Sequence, residues 1–68
     1  MKVSEKNTRI HLTWESDNGE DVEKAKDLFK KLTGQGWLAT KCFHELRRIL
    51  EFKPEYEELW FIPLIEGG

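Results

Sequence analysis

The chain has 68 residues, 38% of them apolar, and its 11 basic and 13 acidic side chains leave a net charge of −2. That is the composition of one globular domain spanning residues 1–68, and it excludes collagen-like, coiled-coil and membrane-spanning classes. Cys42 is the single cysteine, so no intramolecular disulfide is available, and His11 and His44 alone offer no zinc-ligand spacing.

No metal or cofactor is therefore expected, and one unpaired cysteine fits a reducing, cytoplasmic setting. A chain this short buries only about 60% of its unfolded surface, so its core must be dense. Three Trp, four Phe, one Tyr, four Ile and eight Leu supply the material. The longest apolar run, Leu59 to Ile65, is far short of the roughly 20 residues a membrane span needs. Met1 to Asn7 has no apolar stretch of the kind a signal peptide carries. Residues 1–34 hold seven basic and seven acidic side chains and residues 35–68 hold four and six, so neither half resembles a nucleic-acid-binding arm.

Arg9 to Thr13, with Trp14, alternates strictly and reads as a half-buried strand with Ile10, Leu12 and Trp14 on one face. Met1-Lys2-Val3 is expected to pair back on it as a short hairpin arm through the polar Ser4-Glu5-Lys6-Asn7. Ser16-Asp17-Asn18-Gly19 then breaks the alternation. Glu20 and Asp21 suit the first turn of a helix starting near residue 20, capped by Asn18 or Asp17. Val22, Ala25, Leu28, Phe29 and Leu32 make one apolar stripe, and Gly34 is expected as its left-handed cap.

Trp37 to Phe43 reads as a second main strand. Its inward phase stays open: either Trp37, Ala39 and Phe43 face the core, with Lys41 as a misfit, or Leu38, Thr40 and Cys42 do. His44 to Phe52 fits both helical and extended spacing, and the Lys53-Pro54-Glu55 turn that follows favours a strand. Glu58 to Ile65 lacks polar alternation, so that strand is expected to be covered on both faces or to lie centrally, with pairing ending near Ile62 or Pro63. Glu66-Gly67-Gly68 is expected to form a flexible tail. The fold class is α+β: one helix on one face of a small mixed sheet of three to five strands. Trp14, Phe29, Leu32, Leu59 and Phe61 are the core candidates.

Little catalytic chemistry is on offer, and no enzyme activity is expected. Gly34-Gln35-Gly36 follows a helix, where a phosphate-binding loop would have to precede one. Cys42 and His44 would share a strand face, but a small hydrophobe beside an imidazole is the simpler account. The end of the chain is different. A diglycine after an apolar strand is slim enough to thread a narrow tunnel, and its carboxylate can be adenylated and then attacked by a thiol or amine.

Thr8 to Asp17, the segment from Glu20 to Gly34, and Leu59 to Gly68 together resemble the second strand and turn, the single helix, and the last strand and tail of the ubiquitin-like, β-grasp family. The resemblance covers about half of the chain. It implies a β-grasp-like strand order, as against β-α-β-β-β, and a carrier whose Gly67-Gly68 tail is activated by an adenylating enzyme. Glu66 stands where ubiquitin carries Arg and points away from eukaryotic-type conjugation. The segment from Glu51 to Gly68 is also similar to the tails of small uncharacterised prokaryotic and phage proteins. The alternative function is an interaction module that binds a protein partner, or a second copy of itself, through Trp37, Tyr56 and Trp60. Neither nucleic acid nor membrane is an expected partner.

Overall fold

The computed structural model describes residues 1–41 and 47–63. Four strands, β1 (Lys2–Lys6), β2 (Arg9–Thr13), β3 (Trp37–Thr40) and β4 (Glu58–Pro63), surround one helix in the order β1, β2, α1 (Gly19–Gly34), β3, β4. The sheet order is β1-β2-β4-β3, and all three pairings are antiparallel. The α+β class therefore holds, with every described strand antiparallel instead of mixed. The β1–β2 hairpin ahead of α1 departs from the β-α-β-β-β alternative, and among the described residues two strands follow the helix. Because β4 pairs with both neighbours, β2, α1 and β3 form a βαβ unit split by a central antiparallel strand.

The N-terminal hairpin is longer than the alternation implied. Pairing runs from Lys2↔Thr13 to Lys6↔Arg9, and the turn is Asn7-Thr8, not Ser4 to Asn7. Both turn residues have positive φ, 51° and 62°, as a two-residue hairpin whose twist matches its strands requires. Asn tolerates that region; a β-branched Thr does not.

Asn18 caps α1, its side-chain carbonyl accepting the Asp21 N–H at 3.1 Å, and Glu20 and Asp21 place negative charge at the positive end of the helix dipole. At the other end Gly34 is still helical. The Gln35 N–H donates to the carbonyls of Lys31 and Leu32 at 3.1 and 3.0 Å. The left-handed residue is Gly36, at φ 96°, which turns the chain into β3 in place of Gly34.

The core is Leu12, Trp14, Ala25, Phe29, Leu32, Ala39, Leu59 and Phe61, and it includes all five residues singled out from the sequence. Leu12, Leu59 and Phe61 are fully buried, each contributing about 2–3 kcal/mol of apolar transfer energy. Trp37 pairs with Pro63 and Ala39 with Phe61, so the Trp37/Ala39 phase of β3 faces the helix and Leu38 and Thr40 point away.

Residues 47–52 form neither helix nor named strand. Arg48 makes an isolated antiparallel bridge with Thr40, and the Ile49 N–H donates to the Ala39 carbonyl at 2.7 Å. Phe52 then turns in against Trp14 and Phe29, with ring centroids 5.1 and 5.9 Å apart. The Pro54 turn is a short 3-10 helix, Pro54–Tyr56.

Replacing Thr8 with glycine removes the strain of a β-branched residue at φ 62°. Thr8→Gly is expected to raise stability by about 1 kcal/mol, read as an increased urea midpoint with an unchanged slope.

Candidate interaction surface

The helix covers one side of the sheet, and strand alternation dictates what the other side carries. The pairings Ser4↔His11, His11↔Trp60, Thr40↔Trp60 and Thr40↔Arg48 line up one row across the sheet. Directly opposed residues point to the same face. The whole row therefore stands away from α1, flanked by Lys2, Thr13 and Glu58 on one side and by Lys6, Arg9, Ile62 and Leu38 on the other.

At its centre the His11 imidazole lies flat against the Trp60 indole, centroids 4.0 Å apart and planes 12° from parallel. His11 Nε2 is 2.6 Å from Glu58 Oε2, so an Nε2–H donates to the carboxylate, Glu58 being the diagonal neighbour of His11 on β4. When His11 is protonated the contact becomes an ion pair and the indole a π partner for the cation. Both side chains remain accessible, His11 at 27% and Glu58 at 49%. Leu38, Trp60 and Ile62 are half-buried and Thr40, between Trp60 and Arg48 in the row, is fully buried, so this side has an apolar centre that is partly shielded from water.

A clamp between the end of β2 and the start of β4 holds this alignment. The Trp14 N–H donates to the Glu57 carbonyl at 3.1 Å, its indole Nε1–H to the Pro54 carbonyl at 2.9 Å, and the Ser16 N–H to the Glu57 carboxylate at 2.9 Å. Glu57 adopts φ 59° to make this reach. The Ser16 backbone N–H, and then the Ser16 hydroxyl, hold its carboxyl below the ordinary glutamate value.

The three aromatic residues expected to bind a partner do not share a face. Trp60 lies on the uncovered side, whereas Trp37 and Tyr56 are half-buried against the core cluster, Tyr56 with the Lys41 ammonium 4.8 Å from its ring centroid. The structure brings His11, Glu58, Leu38 and Ile62 to Trp60 in their place. His11 was recoverable from the alternation of β2; its partners depend on the β2–β4 register, which short-range patterns do not encode. Gly67, Gly68, Cys42 and His44 lie outside the described residues. Among the described residues, no group of three or more His, Cys, Asp or Glu could hold a metal ion, and no helix is long and apolar enough to cross a membrane.

No family model, curated protein or solved structure matches the chain.

The lowered Glu57 carboxyl stabilises the fold fully above the ordinary glutamate value, and that contribution is lost as pH falls through the lower folded value. Glu57→Gln is therefore expected to lose less stability than the parent chain between about pH 6 and about pH 3. Urea unfolding at the two pH values measures this; identical losses in both proteins would show that the Ser16 contact does not set the shift.

Proposed function

We propose that the chain is a non-catalytic protein-binding module that works through the sheet face α1 leaves uncovered, with Trp60 at its centre. The observation that carries this reading is the His11–Trp60 stack on that face, bordered by Leu38 and Ile62. An aromatic anchor amid aliphatic groups, with polar groups around it, has the composition of a binding patch. The His11–Glu58 pair stands on open sheet with its ring packed on indole, an arrangement that serves recognition. The lone cysteine fits a cytoplasmic role for this module.

A second reading, the ubiquitin-like carrier, draws support from the β1–β2 hairpin ahead of the helix and from Gly67-Gly68 in the sequence. In it a Gly68 carboxylate oxygen attacks the α-phosphorus of ATP on the adenylating enzyme, forming an acyl-adenylate as pyrophosphate leaves.

The binding reading is tested with a photo-crosslinking amino acid in place of Leu38 and, separately, of Lys26 on the exposed side of α1. Adducts of discrete mass are expected from position 38 and should weaken when Trp60→Ala is added; equal yields from position 26 count against the proposal. For the carrier reading, incubation with ATP and candidate adenylating enzymes should yield an adduct that deletion of Gly68 abolishes without moving the melting transition. A full chain that never becomes adenylated rules that reading out.

A further inference from the structure

We propose that the outer edge of β1 accepts a further strand, donated by an acidic partner segment whose carboxylates stand four residues apart with apolar side chains between them. Among the described residues β1 pairs on one side only, being the end strand of the order β1-β2-β4-β3. The two-residue turn at Asn7-Thr8 closes on Lys6 and Arg9 as a hydrogen-bonded pair, and the alternation of an antiparallel ladder gives Ser4 and Lys2 the same role. Val3 and Glu5 therefore turn their N–H and C=O groups outward. Added strands bind through such groups, and pockets for alternate side chains select among them.

The two faces of this edge differ in chemistry. Val3 opposes Leu12 of the core, so its side chain points to the helix side, yet Val3 is 49% exposed and Met1 44%. The helix stops short of the edge and leaves an open groove of about 400 Å3 between Val3 and Leu28, rimmed by Lys24, Asp27 and Lys31. On the opposite face Lys2 and Lys6 flank Ser4, and no carboxylate of β1 shares their phase. None of these four lysines is in an ion pair among the described residues. Four residues of strand span about 13 Å, so glutamates four apart on an added strand meet Lys2 and Lys6 whichever way it runs. The residues next to those glutamates fall on the other phase, where Val3 and Leu28 receive apolar groups.

A second copy fits this edge poorly. Pairing β1 with itself about Ser4 opposes Lys2 to Lys6 of the other copy twice over, and like charges directly opposed are destabilising. Centred on Val3, the pairing shortens to the three residues Lys2 to Ser4 of each strand. Lysines on an edge strand deter such self-association and leave an acidic strand as the occupant. This edge is separate from the Trp60 row, and its test is read separately.

The test is NMR titration of the isotopically labelled full chain with a peptide containing Glu-Val-Thr-Val-Glu, and with the same peptide carrying Lys for Glu. The acidic peptide is expected to move the Val3 and Glu5 amide signals and slow their hydrogen exchange, and to bind about threefold more weakly at about 0.3 M than at about 0.05 M salt. Val3→Pro removes an outward N–H that β2 does not use, so the fold is kept and binding should fall about tenfold. The Lys2→Glu, Lys6→Glu double variant should weaken the acidic peptide about tenfold and Lys26→Glu hardly at all. If the Val3→Pro chain does not fold, the double variant, at two exposed positions, carries the test. Equal binding of the basic peptide, no binding, or shifts centred on Leu38 and Trp60 would overturn the proposal. So would a dimer in sedimentation without peptide that Val3→Pro dissolves, which would give the edge to a second copy.

Discussion

The position of β4 between β2 and β3 is the constraint on which the rest of the structure depends. Glu58 to Phe61 pairs with β2 and Trp60 to Pro63 with β3, so the middle of the strand is paired along both edges and its side chains are free to be apolar on both faces. Leu59 and Phe61 go to the helix side and disappear completely. Trp60 and Ile62 go to the other side, where no helix covers them. The same pairing that completes the core thus places an indole on the side away from α1, and it does so opposite His11 because the register matches Ile10 with Phe61. A slip by one residue would exchange Phe61 for Trp60 in the core and dissolve the His11 stack at once.

How much of this was legible depended on whether the signal was local. The helix and its buried stripe, Ala25, Phe29 and Leu32, could be read from spacing because 3.6-residue periodicity is encoded within a few turns. The alternation from Arg9 to Trp14 gave β2 and its inward face for the same reason. The hairpin turn was misplaced because Asn7-Thr8 carries no glycine: a Thr at positive φ is sterically costly and is held there by the pairing on either side. Gly36 turns left-handed in place of the expected Gly34, since the position of that turn depends on where the last helical carbonyls find their donors. The candidate surface was the least legible part. Trp60 was visible as a large residue one helix could not cover, but Trp37 and Tyr56 were equally plausible until the pairing of Trp37 with Pro63 put that indole on the core side.

Charge follows the same geometry. A strand two residues out of phase leaves parity unchanged, so once Ile10 and Leu12 are fixed inward, Arg9, His11 and the residues they oppose must all face out together. Glu5 is carried to the helix side by that same rule. The placement of Lys2 and Lys6 on the side away from α1 is thus a consequence of where the apolar residues lie, while α1 itself is balanced, with four acidic and four basic side chains.

That separation bears on why α1 covers one side of the sheet alone. One helix of 16 residues is about 24 Å long, enough for one side of a four-stranded sheet, and the described remainder from Arg47 to Glu57 is spent closing the edge of β3 and clamping Trp14. Burying Lys2 and Lys6 against another part of this chain would require partners for each cation, because an unpaired buried charge costs more than the apolar contact returns. Left at the rim of an open face, the same side chains remain hydrated and lose little.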